Sequence, residues 1–226
     1  MSIVISRRRT CTRLTEVLDR YEADHRYGVP TVGFFLLTII VFAIAHLCSS
    51  WVPRSVAQSK SARRLTGLAR YFSYKSYRIP MLNWNSAPLG ILALGAVGTV
   101  FFFCMTLAPA PYYWPTDAEY GSSPPLATRA GWLSLGCMPF VFATAGKSNF
   151  ITAVTGVSHE RLQVFHRWIS YAFFVTALIH TFPFIIYNQK TGTMREQWNT
   201  SVFYWTGVVA LVAQGWLTLG SFSSLR

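Results

Sequence analysis

The chain carries five histidines, His25, His46, His159, His166 and His180, and two of them are spaced in a way that could do chemistry. His166 and His180 stand fourteen positions apart within a largely apolar stretch. On a helix turning roughly 100° and rising about 1.5 Å per residue, they project from nearly one face, about 21 Å apart along the axis. One imidazole then lies near each side of a hydrocarbon layer roughly 30 Å thick. Two stacked haems would take this from a single helix, because each iron accepts an axial nitrogen on either side and a facing helix supplies the second. A plainer reading is also open: polar side chains in membrane spans bridge neighbouring helices by hydrogen bonds. That reading is weaker for His180, set among Ala177, Leu178, Ile179 and Phe182, than for His166, which is interfacial and flanked by Arg167.

His159 lies seven residues before His166 and would share its face if the helix reached that far. The run Gly156-Val157-Ser158-His159-Glu160 instead reads as a helix start with Ser158 as N-cap, which makes His159 a loop or cap residue. His46 has no partner at ligand spacing and reads as an interhelical hydrogen bonder. Lys147, Arg161 and Arg167 are expected at the cytoplasmic end of the bundle. They could pair with haem propionates there, or be solvated residues of the positive-inside kind. Cys11, Cys48, Cys104 and Cys137 are far apart and form no C-x-x-C pattern, so neither a disulfide framework nor a zinc site is readable. There is no G-x-G-x-x-G or Walker motif, so no nucleotide site is recognisable.

The elements that hold these residues are membrane spans. Hydrophobic residues make up 52% of the chain and charged residues 12%. Apolar runs at 31–51, 87–108, 128–146, 163–187 and 202–220 each suit one crossing, which predicts an all-α membrane protein with about five transmembrane helices. Pro30, Pro53, Pro88, Pro109 and Pro111 fall at the ends of the first two runs, where proline does least damage. The first run starts near Thr31, too late and too long for an ordinary secretory signal, and reads as a true span. The net charge of +12 arises from 20 basic residues placed between the spans, not on one face of a folded domain. This excludes a nucleic-acid footprint and points to membrane lipid as the partner.

Loop charges set the orientation. Residues 52–86 hold seven basic residues and no acid, whereas 109–127 hold Asp117 and Glu119 and no base, so the first loop is expected in the cytoplasm and the second outside. The amino-terminal tail opposes this assignment, since Arg7, Arg8, Arg9, Arg13, Arg20 and Arg26 outnumber its acids, and the acid-free loop is given precedence. Tyr112, Tyr113 and Trp114, like Trp198, Tyr204 and Trp205, fall at expected outer span ends, where aromatic belts form.

The runs Thr155 to Trp168 and Ala177 to Phe184 closely resemble the ferric-chelate reductases of filamentous fungi, as do Pro111-Tyr112-Tyr113-Trp114-Pro115 and Gln197 to Gly207. The resemblance implies a cytochrome b-like bundle shared with NADPH oxidases and preceded by an additional span. It implies that His166 is an inner-haem ligand and His180 an outer-haem ligand, each to a haem b iron. Reducing equivalents in that family pass from NADPH to FAD in a cytoplasmic domain and on through two haems to external ferric iron. The segment from Lys147 to Gln163 would dock that flavin domain. Ferric chelates are then the substrate, the plasma membrane the location, and iron transport and metal-ion homeostasis the context. On this reading 1–30 is a tail, 31–51 the first span, 52–86 a basic cytoplasmic loop and 87–226 a partial ferric reductase transmembrane domain.

Residue 226 falls just before the family's second histidine-bearing helix and its flavin and nucleotide domains. The expectation is therefore that this chain alone reduces no ferric chelate with NADPH. A noncatalytic membrane subunit or relic without a complete haem site is the alternative. A transporter or channel is disfavoured, because apart from the histidines the spans hold almost no ionisable residues of the kind that line substrate pathways.

Overall fold

A computed structural model describes residues 26–53, 56, 58–79, 84–110, 112 and 124–221. The readings that involve the amino-terminal tail and His25, Cys11, Tyr113, Trp114, Asp117 and Glu119 lie outside the described residues. The expected helical membrane architecture is present. Helix α1 runs Gly28–Trp51, α2 Lys60–Tyr74, α3 Leu89–Leu107, α4 Pro125–Ala145, α5 Phe150–Thr155, α6 His159–Lys190, α7 Met194–Thr200 and α8 Val202–Gly220. Five of these, α1, α3, α4, α6 and α8, are long and apolar enough to cross a membrane. Between α2 and α3 a minor antiparallel pair joins β1 (Arg78–Ile79) to β2 (Trp84–Asn85).

Helix α4 is the centre of the bundle. Of its apolar window 44% is buried, against 6% to 17% for the other four spans. Its inner face is built from small residues, Ala127, Ala130, Ser134, Gly136 and Cys137, with Leu133 and Phe140 filling the space between. Lipid tails are as apolar as leucine, so spans associate by close packing, and small residues allow that approach. Helix α6 lies along this face, and the Ser134 hydroxyl donates to Phe173 O at 3.3 Å. Cys137, Phe140 and Ile169 form a core against which Val32, Phe35 and Ile39 of α1 and Phe102 of α3 pack. The rings of Phe35 and Phe140 are 4.7 Å apart, and Phe34 stacks on Phe101 at 4.6 Å. The one charged side chain buried in α4, Arg129, has its guanidinium 5.7 Å from the Tyr27 ring and 5.9 Å from that of Tyr112.

Two elements differ from what the apolar runs predict. Helix α6 has 32 residues and starts at His159, where the run from Gly156 to Glu160 reads as a helix start, and not at residue 163, where the apolar run begins. At about 1.5 Å per residue it exceeds the hydrocarbon thickness, so its charged first turn extends the helix beyond the apolar run. Glu160 lies in that turn, where a carboxylate suits the helix dipole. Ser158 occupies the N-cap position, but its hydroxyl makes no cap hydrogen bond. The second difference is the basic segment 52–86, which contains a 15-residue helix, α2. Its charge describes the segment's position relative to the membrane and says nothing of its conformation.

Contact between α1 and α4 depends on Gly136. A Cβ there would lie 2.9 Å from Thr31 Cβ and 3.2 Å from Gly28 O, so the helices would have to separate. Gly136→Ala should destabilise the bundle by about 1–3 kcal/mol, the usual range for overpacking. Gly33→Ala is the control, since nothing lies within 4 Å of a Cβ at that position. Denaturation by SDS in mixed micelles measures both, and only the first midpoint should fall.

Candidate functional site

Helices α4 and α6 are antiparallel, and their register brings both α6 histidines against α4 main chain. His166 Nδ1 lies 3.0 Å from Val141 O and 3.2 Å from Thr144 Oγ1. His180 Nδ1 lies 2.8 Å from Ala127 O. Val141 and Ala127 are themselves fourteen residues apart, so one register serves both histidines. A carbonyl oxygen can only accept, and each Nδ1 therefore carries the proton and donates it. The Thr144 hydroxyl donates to Phe140 O at 2.7 Å, which leaves its oxygen free to accept from His166 as well.

This arrangement fixes a tautomer. A neutral imidazole protonated at Nδ1 keeps its unshared pair on Nε2, the form in which histidine binds a metal. Histidines that ligate metals almost always have the other ring nitrogen held by a carbonyl or carboxylate. Both rings line one cavity of about 870 Å³ between α4, α6 and α8. Its walls carry Phe173, Ala177, Phe184 and Leu211, with polar groups from Arg167, Ser170, Tyr204 and Gln214. The donors present fit an axial ligand for each of two haems. Among the described residues no three His, Cys, Asp or Glu side chains converge as a bare metal ion would need. A second cavity of about 430 Å³, between α1, α3 and α6, is lined by Phe34, Phe102, Trp168 and other apolar side chains and contains no histidine.

The remaining candidates fall elsewhere. His159 is the first residue of α6, outside the cavity, with Nε2 3.4 Å from Gln163 Nε2. His46 packs against the turn between α5 and α6, close to where a Cβ of Gly156 would lie, in keeping with an interhelical role. Of the three basic residues, Arg167 lines the cavity, Lys147 is exposed, and Arg161 donates to the Tyr74 hydroxyl at 2.8 Å. Three contributors were not foreseen. Thr144 supports His166, and Gln163 Nε2 reaches Thr144 O and Ala145 O at 3.3 Å, satisfying carbonyls that the end of α4 leaves open. Gly131 makes room for His180, since a Cβ there would sit 2.6 Å from Nδ1. The small residue four positions after Ala127 was the available signal for that approach.

The fold and these two side chains define a helical integral membrane protein with a two-histidine span. Residues 130–226 match the family described as "Ferric reductase like transmembrane component". The chain is 34% identical over 158 residues to the probable cell surface ferric reductase kap2 of Aspergillus oryzae, covering 66% of this chain and 21% of that protein. It is 28% identical over 177 residues to ferric/cupric reductase transmembrane component 7 of Saccharomyces cerevisiae, covering 76% and 28%. It is also 26% identical over 227 residues to ferric reductase transmembrane component 3 of the same yeast, covering 91% and 30%. Less than a third of each of these relatives is spanned. No solved structure matches the chain. Residues 130–226 are thus similar to ferric reductase transmembrane components, and the family match takes in α5 to α8 and all of α4 from Ala130 onward.

Gly131→Ala should displace the His180 ring from Ala127 and destabilise the bundle by about 1–3 kcal/mol. In histidine-labelled protein, the hydrogen-bonded Nδ1 proton resonance of His180 should disappear while that of His166 remains.

Proposed function

We propose that this chain is the membrane part of a metalloreductase in which His166 and His180 are axial ligands, one to each of two haem b groups. The reading is carried by one observation: both imidazoles give Nδ1–H to an α4 carbonyl while lining the same cavity, so each keeps Nε2 for a ligand. When bound, haem supplies one-electron exchange at iron. The work of this chain's residues is to place two neutral nitrogens at separate membrane depths and to surround them with apolar walls that exclude water. Ala127, Val141 and Thr144 orient the rings, and Gly131 sets how closely α4 can approach. Arg167 is the basic side chain placed to pair with a propionate, since it shares the cavity with His166, whereas Arg161 is engaged by Tyr74.

In the full activity that the family resemblance implies, reducing equivalents from cytoplasmic NADPH and FAD would be delivered to external ferric iron in the service of iron uptake. Support comes from similarity to ferric and ferric/cupric reductase components, one of them described as a cell surface enzyme. The plasma membrane is the corresponding location for this chain. The acid-free basic segment 52–86 is assigned to the cytoplasm and the segment 109–127 to the outside, by the positive-inside rule.

The test is His→Ala at positions 166 and 180 in the full-length protein, with haem counted by pyridine haemochrome and spin state read from the absorbance spectrum. Each variant should lose one of two low-spin haems, and a His159→Ala control should keep both. Two low-spin haems retained by His166→Ala or His180→Ala would remove that residue from the ligand set and leave it as a helix bridge.

A further inference from the structure

The segment expected as a loop between the first two spans contains α2, whose residues are sorted by face. At roughly 100° per residue, Lys60, Arg63, Arg64 and Arg70 gather with Tyr71 and Tyr74 on one side, and Leu65, Leu68, Ala69 and Phe72 on the other. No residue of α2 is buried. Leu65 is 68% exposed, Leu68 55% and Phe72 56%, so the apolar face is uncovered by the rest of the bundle. A contiguous apolar face on a short helix marks an interaction surface.

Both ends of α2 are tied to spans. Only residues 52–59 separate it from Trp51 at the end of α1. At its other end Ser73 packs against Gly90, and Leu89 N donates to Lys75 O at 2.9 Å, which joins it to the first turn of α3. The Tyr74 hydroxyl accepts from Arg161 at the base of α6. A helix held between the ends of two spans is kept at the level of those ends, α1 at Trp51 and α3 at Leu89. Its 15 residues are too few and too polar to cross a membrane. The charge complements an anionic headgroup layer: there is no Asp or Glu anywhere from Arg26 to Thr116. Lys75, just after the helix, is kept charged as well, its pKa raised by hydrogen bonding to Tyr71 first and Tyr77 second.

We propose that α2 is an interfacial helix, with Leu65, Leu68 and Phe72 inserted among acyl chains and Lys60, Arg63, Arg64 and Arg70 binding the phosphate groups of anionic lipids. A membrane is favoured over a soluble protein partner because the tethers to α1 and α3 keep this face at the level of the span ends. The assignment rests on α2 and its tethers and is independent of the haem reading.

The full-length protein is reconstituted into phosphatidylcholine vesicles with and without phosphatidylserine, carrying a genetically encoded environment-sensitive fluorophore in place of Leu68 or of Gly67 on the basic face. At position 68, emission should be quenched by shallow nitroxide lipid and shielded from aqueous iodide, and phosphatidylserine should deepen the lipid quenching about twofold or more. At position 67 iodide should dominate. Inorganic phosphate at equal ionic strength should change neither. Combined Lys60→Gln, Arg63→Gln, Arg64→Gln and Arg70→Gln substitutions should abolish the phosphatidylserine effect while helix content stays constant. Iodide quenching that is equal at the two positions overturns the proposal. So does lipid quenching indifferent to phosphatidylserine, and shielding from both quenchers at position 68 would assign the face to a protein instead.

Discussion

A hydrogen-bonding group inside a bilayer has no water to turn to, and the histidines of α6 carry such groups into the apolar part of the bundle. What satisfies them is the main chain of α4, whose carbonyls come within reach only because the facing residues are small. Ala127, Ala130, Gly131 and Ser134 let α6 approach until His180 Nδ1 is 2.8 Å from a carbonyl and Ser134 is in hydrogen-bonding range of Phe173 O. Each such bond contributes about 0.6–2 kcal/mol in membrane bundles, less than the packing around it, but it fixes the register absolutely. A slip of α6 by one residue would rotate both imidazoles about 100° away from their acceptors. The placement of α1 and α3 follows from this pair, since both pack on the core that α4 and α6 make around Cys137, Phe140 and Ile169.

Helix bridging and metal ligation look like rival roles for a histidine in a span, but an imidazole has two nitrogens. Bridging through Nδ1 occupies the proton and leaves the unshared pair at Nε2, so the structural role is compatible with the proposed ligation. His46 differs: its ring packs against the turn at Gly156 and does not line the cavity that holds His166 and His180. The cavity between α1, α3 and α6 shows the converse, apolar space without a nitrogen donor. Only between α4, α6 and α8 do space and two oriented donors coincide among the described residues.

Much of this was legible in sequence because the bilayer imposes hard lengths. Five apolar runs became five helices long enough to cross, and the fourteen-residue spacing of His166 and His180 survives as two rings on one cavity wall. The acceptors were not legible. A backbone carbonyl has no sequence signature, and although Gly131 is a small residue four positions after Ala127, only the placed His180 ring shows what it makes room for. The start of α6 was legible in the run from Gly156 to Glu160, with Ser158 at the N-cap, and not in the apolar run, because hydropathy tracks the membrane while the helix includes the polar turn from His159 to Arg161. Helix α2 was hidden for a related reason: the segment was read for its charge, and a basic loop and a basic amphipathic helix have the same charge.

That last point applies to every cation in the bundle. Counting Lys and Arg by segment is enough to assign sides of a membrane, because the bias is a sum over residues. It cannot say what each one does, because function depends on the partner. Arg161 and Arg167 are six positions apart in one helix and would count equally, yet Arg161 is held by Tyr74 of α2 while Arg167 lines the cavity beside His166. Arg129 is different again, buried in α4 with its guanidinium near the rings of Tyr27 and Tyr112. The Arg161–Tyr74 contact also links the base of the histidine-bearing helix to α2. The turn that presents His166 is therefore braced on one side by the end of α4, through Thr144 and through the carbonyls that Gln163 of α6 reaches, and on the other by a helix anchored between two span ends. Rigidity at that turn decides whether the donor nitrogen stays where a ligand can use it, since a site held by only one neighbour would lose its geometry to the motion of a single helix.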